Sequence, residues 1–316
     1  MSHQTLDQLL SQLGGSTLLT ASAGITVGTR FDKLLENLRL TDDQHRDGIV
    51  KYTGVRICLN SHYYGVSSGS ANSLLVGSWG KSTEIRPPRD IDVMFALPSW
   101  VYDRFQTRPG NKQSQLLQEV KSVLAKSYPA TEMSGDGQVV MVRFTSYSVE
   151  VVPAFKLTTG KYWICDTNNG GSYKTVDPDV EIAAVKDSNT VTSGNTRDLI
   201  RMMKRWQEHC SVPLKSFIIE LLAIDFLQTW EHRGKSSTWY DWMTRDFFRW
   251  LKQKSAYYSV SVPGTYECIH IGDAWKSKAE SACARAEKAC EYESYKRPYS
   301  AGEEWQKIFG TFIPTS

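Results

Sequence analysis

The residues best placed to do chemistry are two carboxylates one position apart, Asp90 and Asp92, in the stretch RPPRDIDVMFALP. If this stretch is a strand, alternation puts both carboxylates on one face. Paired carboxylates on one face are a ligand set for divalent metals, which in two-metal sites stand roughly 3.5–4 Å apart. Such ions activate an attacking hydroxyl and neutralise charge on phosphates. Upstream lies Gly77-Ser78. A glycine there lets backbone N–H groups and the Ser78 hydroxyl approach a triphosphate closely.

Between the two pairs stand the letters Gly80-Lys81-Ser82, the ending of a GxxxxGK[ST] phosphate-binding loop. The partner glycine of that motif would fall at position 75, which is Leu75, so the loop lacks the residue that lets its backbone wrap phosphates. Pro87 and Pro88 also interrupt the chain where a long helix should follow. The reading as a P-loop fails on both sequence and context.

The elements that must hold these residues can be read from periodicity. Leu74-Leu75-Val76 and Ile91 to Leu97 read as strands flanking the Gly-Ser turn. Val139 to Phe144 and Val149 to Phe155 add two strands joined by a short turn, with Tyr162 to Cys165 as a further one. Thr41-Asp42-Asp43 offers N-cap chemistry to a helix from Gln44 to about Tyr64, followed by a Gly/Ser break over Gly65 to Ser70. Gln113 to Tyr128 is an amphipathic helix. Helices are expected again over Thr196 to Cys210, Pro213 to Trp230, Trp239 to Lys252 and Asp273 to Glu293, the second apolar almost all round. The layout is a helical start, an α+β centre with a mixed sheet, and a helical end. A soft boundary between Asp177 and Asn195 suggests a catalytic core with N-terminal helices over residues 1–185 and a helical lobe over residues 186–316.

A chain of 316 residues with net charge +3 has room for a large core, and its mild charge does not suit a protein that coats long nucleic acid. No apolar run is long enough to span a bilayer, and MSHQTLDQLLSQL has no basic region followed by an apolar core, so no signal peptide is expected. Six scattered cysteines without a CxxC pair fit a reduced cytoplasmic protein, and Cys268, His270, Cys283 and Cys290 lack the tight paired spacing of structural zinc sites.

Gly77-Ser78 followed by Asp90-Ile91-Asp92 resembles the signature of the DNA polymerase β-like nucleotidyltransferases. That resemblance implies a third carboxylate from a later strand of the same sheet, and Ser148-Val149-Glu150-Val151-Val152-Pro153 places Glu150 there, where aspartate is commoner. The longer segment GSWGKSTEIRPPRDIDVMFALP, together with VEVVPAF, WICDTNNGGSYKTVDP, LIRMMKRWQEHCSVPLKSFIIELLAIDFL and EEWQKIFGTFIP, resembles the cGAS/DncV-like nucleotidyltransferases (CD-NTases) of bacterial antiphage CBASS operons. The resemblance implies a polymerase β-like mixed sheet packed against an oligoadenylate synthetase-like helical lobe. It also implies synthesis of a cyclic di- or trinucleotide second messenger.

Carried onto this sequence, the resemblance makes Asp90, Asp92 and Glu150 the catalytic and metal-binding carboxylates, with two Mg²⁺ ions (Mn²⁺ as substitute). Gly77, Ser78, Lys204, Ser216 and Phe217 become the nucleotide-binding residues, with Lys204 and Ser216 on the triphosphate and Phe217 against a base. Lys204, with Arg197 and Arg201, gives its helix a basic face, and a flexible ammonium suits a mobile triphosphate. Ser216 stands near a helix start, where hydroxyl and dipole favour an anion, although a capping role is equally available to it. Lys81, Arg86 and Arg89 frame the central motif and are placed to meet a second nucleotide. The implied partners are NTPs (ATP, GTP or pyrimidine NTPs), an effector reached through the product, and regulatory proteins. No long nucleic acid and no membrane are expected. The alternatives are a template-independent RNA or tRNA 3′-end nucleotidyltransferase and a catalytically silent nucleotide-binding protein.

Overall fold

The structure, a computed structural model, describes residues 25–316, so the expectation made for MSHQTLDQLLSQL lies outside the described residues. Helix α1 (Val27–Leu38) begins at a capping box between Thr26 and Thr29, and α2 (Asp42–Tyr64) at another between Thr41 and Gln44. At its far end α2 stops at Gly65 in the left-handed conformation. One polar side chain near that end holds the next loop in place. Asn60 donates to the carbonyls of Ser68 and Ala71 and accepts from Asn72, fixing the segment that enters the sheet.

The chain then runs through β1 (Ser73–Leu75), the short helix α3 (Gly77–Lys81), β2 (Ile91–Ala96), α4 (Ser99–Gln106), α5 (Lys112–Ser127), β3 (Glu132–Asp136), β4 (Val139–Arg143), β5 (Ser148–Lys156), β6 (Tyr162–Asp166) and β7 (Ser172–Val176). The seven strands form one mixed sheet in which β2 and β5 are parallel neighbours and the remaining pairs are antiparallel. Pro153 sits inside central strand β5 without breaking it. It falls between Val151, the last described partner of β4, and Ala154, the first partner of β6, where no ladder hydrogen bond is asked of its missing N–H on that side. Val55 and Leu59 of α2, Phe105 of α4 and Leu116, Val120 and Leu124 of α5 pack with Val93, Val149 and Val151 to make the core against this sheet.

The interval that the sequence leaves as a boundary is itself a helix, α6 (Pro178–Val191), started by the Asp177 side chain on the Val180 N–H with proline in its first turn. After it come α7 (Asn195–His209), α8 (Ser216–Thr229), α9 (Tyr240–Lys252), the hairpin β8–β9 (Ser259–Ser261, Cys268–His270), α10 (Lys276–Ser294) and α11 (Pro298–Phe309). These share a second core around the fully buried Trp206, Trp275 and Trp305. Helix α1 belongs to this core by packing: Phe31, Leu34 and Leu38 are buried in it. The fully buried Arg30 ties α1 to Glu293 and to the carbonyls of Pro298 and Pro314. No helix among the described residues is long and apolar enough to cross a membrane.

Candidate functional site

Register brings the two distant carboxylates together. In the parallel pair β2–β5, Asp92 stands opposite Glu150, and both alternate with buried neighbours, Ile91 and Val93 on one strand and Val149 and Val151 on the other. Asp90 lies exposed just before β2. Burial raises the Asp92 carboxyl to about 6, helped by Asp90 and Glu220 and opposed by Lys81 and Lys204. Burial likewise pushes Glu150 up to about 7, with Asp92 and Asp90 adding to it and Arg143 opposing. Asp90, Asp92 and Glu150 together are an acidic set of oxygen donors suited to hard divalent cations. The set is not preassembled: among the described residues no three His, Cys, Asp or Glu side chains are gathered into a ready metal-binding group.

A cavity of about 270 Å³ opens beside this pair. Of the eight residues singled out from the sequence, Gly77, Ser78, Asp90, Asp92, Lys204, Ser216 and Phe217 line it, and Glu150 does not. Gly77-Ser78, expected as a turn, begins α3 instead. Gly77 adopts φ +55°, and a Cβ on it would lie 1.9 Å from Asp92 Oδ2. Here glycine is required both by conformation and by the carboxylate packed on it. Trp79 anchors α3, stacked on His45 at 5.3 Å and edge-on to Tyr52 and Tyr147.

The letters that mimic a P-loop have another role. Gly80 packs on the chain before it, since a Cβ there would meet the Leu75 carbonyl oxygen at 2.3 Å. The next three carbonyls accept from one row of basic side chains on α7: Lys81 O from Arg197 (3.0 Å), Ser82 O from Arg201 (2.7 Å) and Thr83 O from Lys204 (3.3 Å). The basic face of α7 therefore spends Arg197 and Arg201 on backbone carbonyls rather than on solvent or phosphate. Only Lys204 of the row reaches the cavity.

Lys204 is 4% exposed, not on a solvated helix face, and it donates to Glu220 at 2.7 Å and to the Thr83 hydroxyl at 2.9 Å. Ser216 is the first residue of α8 but does not cap it; its hydroxyl donates to Gln207 Oε1 at 3.0 Å. Phe217 is half-buried in the cavity wall, with Lys81 Nζ over its ring at 4.6 Å. Of the three residues expected to meet a second nucleotide, Lys81 and Arg89 line the cavity and Arg86 does not. Lys81 is buried against Glu220, Arg86 donates to the Asn37 carbonyl, and Arg89 pairs with Glu208 at 3.4 Å.

Sequence reasoning missed Glu220 and Thr83. A lone carboxylate early in SFIIELLAIDFL was the available signal, because a charge in an apolar helix needs a partner. Burial would raise the Glu220 carboxyl, but Lys204 and Lys81 pull it down to about 2.

Known proteins resemble this chain in sequence and in fold. Residues 25–189 match the family profile of the Second Messenger Oligonucleotide or Dinucleotide Synthetase domain (SMODS). A probable cyclic nucleotide synthase of Bacillus cereus is 23% identical over 76% of this chain and 81% of its own. The CBASS oligonucleotide cyclase CdnC of Escherichia coli is 26% identical over 59% of each chain. Among solved structures, Escherichia coli CdnC in complex with HORMA-deltaN has a TM-score of 0.64 at 17% identity, covering 91% of this chain and 98% of the other. Escherichia coli DncV bound to 3′-deoxy GTP has a TM-score of 0.66 at 13% identity, covering 90% and 96%. Both share the mixed α+β fold described above.

Proposed function

This chain belongs to the second messenger oligonucleotide or dinucleotide synthetase family, a group of nucleotidyltransferases, and we propose that it joins NTPs into a cyclic di- or trinucleotide with release of pyrophosphate. The observation that carries this reading is the pairing of Asp92 with Glu150 across β2–β5, next to a cavity that also holds Asp90, Ser78, Lys204 and Ser216.

In this reading Lys204, Ser216 and Ser78 hold the donor triphosphate, and Gly77 keeps the backbone close to it. Phe217 stacks on a base through the ring face turned away from Lys81. Asp90, Asp92 and Glu150, all hard oxygen donors, would hold the divalent cations, Mg²⁺ with Mn²⁺ as substitute, which supply hydroxyl activation and phosphate charge neutralisation when bound. The ribose hydroxyl of the acceptor loses its proton beside these carboxylates. Its oxygen bonds the α-phosphorus of the donor as the bond from that phosphorus to the pyrophosphate oxygen breaks. Repetition lengthens the linear product, and a last such step within it closes the ring with release of its pyrophosphate.

On this reading residues 42–185 form the catalytic core and residues 186–316 the helical lobe, joined through α6, while α1, expected with the catalytic core, packs in the core of the lobe instead. The relatives support a signalling role of the CBASS type, in which the product reaches an antiphage effector. The CdnC complex with HORMA-deltaN makes a regulatory protein a reasonable partner to seek.

The test is incubation of the purified protein with labelled NTPs and Mg²⁺, without RNA, followed by phosphatase treatment and mass spectrometry. A small phosphatase-resistant product is expected, and Asp90→Asn with Asp92→Asn should remove it while the protein stays folded. Product formation only on added RNA ends would favour an RNA end-polymerase. Nucleotide binding without pyrophosphate release would favour a silent binding protein.

A further inference from the structure

Glu220 is 3% exposed in the cavity wall, and each of its oxygens carries a lysine. Lys204 Nζ lies 2.7 Å from Oε1 and Lys81 Nζ 2.9 Å from Oε2, while the Thr83 hydroxyl donates to Oε1 at 3.1 Å. The carboxylate thus joins two elements of different origin, α7–α8 and the α3 connector. Lys81 is braced further by Glu181 at 3.6 Å and by the face of Phe217.

Stability alone is a poor reason for such a cluster. Taking charges out of water costs free energy, and apolar replacements of a buried ion pair are often no less stable. Its position gives a better reason. The cluster borders the same cavity as Ser78 and Ser216, and a lysine buried without an anion loses its charge. An enzyme that must receive a polyanion there needs its ammonium groups charged and in place before the polyanion arrives.

We propose that Glu220 is a positioning residue for the nucleotide's phosphates: it stands in for them in the nucleotide-free protein and presents Lys81, beside Lys204, as a second phosphate-binding cation. This rests on the functional reading above. On nucleotide binding the phosphates become a second anion for the two ammonium groups. Lys204, whose contacts now run to Glu220 and to the hydroxyl and carbonyl of Thr83, exchanges one of them for phosphate.

A role in phosphate positioning and a role in holding the fold separate when ligands differ only in phosphate number. Binding of a non-hydrolysable NTP and of the corresponding nucleoside monophosphate is measured by calorimetry with Mg²⁺ for the wild type, Glu220→Gln and Lys81→Met, with folding checked by circular dichroism. Glu220→Gln should raise the Kd for the NTP about tenfold or more, the scale of a lost charged hydrogen bond, and leave the Kd for the monophosphate within about twofold. Lys81→Met, which leaves Lys204 on Glu220, should show the same selective loss and decides the matter if Glu220→Gln does not fold. Equal losses for both ligands, or no loss for either, would overturn the proposal. A wild type that binds the NTP no better than the monophosphate would instead count against the functional reading.

Discussion

The carboxylate of Asp92 occupies the space that a side chain on Gly77 would need: a Cβ there would lie 1.9 Å from Oδ2 and 2.7 Å from Cγ. The two halves of the motif are therefore one packed unit rather than two neighbouring features. Gly77→Ala must either displace the carboxylate or unwind the first turn of α3, where φ is already +55°. Product formation should fall at least ~100-fold, a loss typical of a misplaced reacting group. The melting temperature should change little in comparison. Wild-type turnover by this variant would show that the approach of Gly77 to Asp92 does not matter to the reaction.

The charge concentrated on Asp90, Asp92 and Glu150 bears on metal addition and removal. A cation that binds only the folded protein stabilises it by mass action. Added Mg²⁺ should raise the melting temperature of the wild type, and a chelator should reverse the gain. In Asp90→Asn with Asp92→Asn the response to Mg²⁺ should vanish. Thermal denaturation across a Mg²⁺ titration measures both, and an unchanged response in the double variant would place the cation elsewhere.

Arg197 and Arg201 give their guanidinium groups to the Lys81 and Ser82 carbonyls. Arg197→Ala and Arg201→Ala should each cost about 1.5–3 kcal/mol of stability, the range for hydrogen bonds to charged groups. Denaturant unfolding reads this directly. A variant with full stability but weakened NTP binding would place these arginines on the nucleotide instead of the backbone.

Outside the cavity wall, Asp241 is 6% exposed and its carboxyl is raised to about 6, by burial first and by Glu293, against the N–H of Trp242 and Arg245. Its folded value lies above the usual aspartate value, so the unfolded chain binds fewer protons between roughly pH 4 and 6. This group therefore favours folding more as pH falls through that window, and its ionisation opposes folding above it. Asp241→Asn should stabilise the protein at pH 7 by on the order of 2–3 kcal/mol and lose that advantage near pH 4. Unfolding free energies of both proteins across this range provide the check.

How much could be read in advance depended on the strength of the local signal. Strands β2 and β5 announced themselves by Ile91, Val93, Val149 and Val151 alternating with Asp92 and Glu150. Helix α3 did not: GSWGK is five residues long, too short to show a period, and its helical state depends on Trp79 docking against His45 and Tyr52. Helix α6 was hidden because few of its residues are buried, so it lacks a strong apolar stripe. The pairing of α7 arginines with backbone was invisible for a different reason. A sequence displays side chains at their spacing, but the carbonyls of Lys81, Ser82 and Thr83 have no letter of their own.

Those three carbonyls also set a rule for recombining this protein with its relatives. Donors at positions 197, 201 and 204 meet acceptors at 81, 82 and 83, so the fit is made in the chain's own length, like teeth of two racks. Deleting one residue between Gly80 and Thr83 would put every acceptor out of step with its donor at once. A chimera that takes its helical part from another family member should therefore carry the segment around residues 80–83 from that same parent, although it lies more than a hundred residues away in the chain.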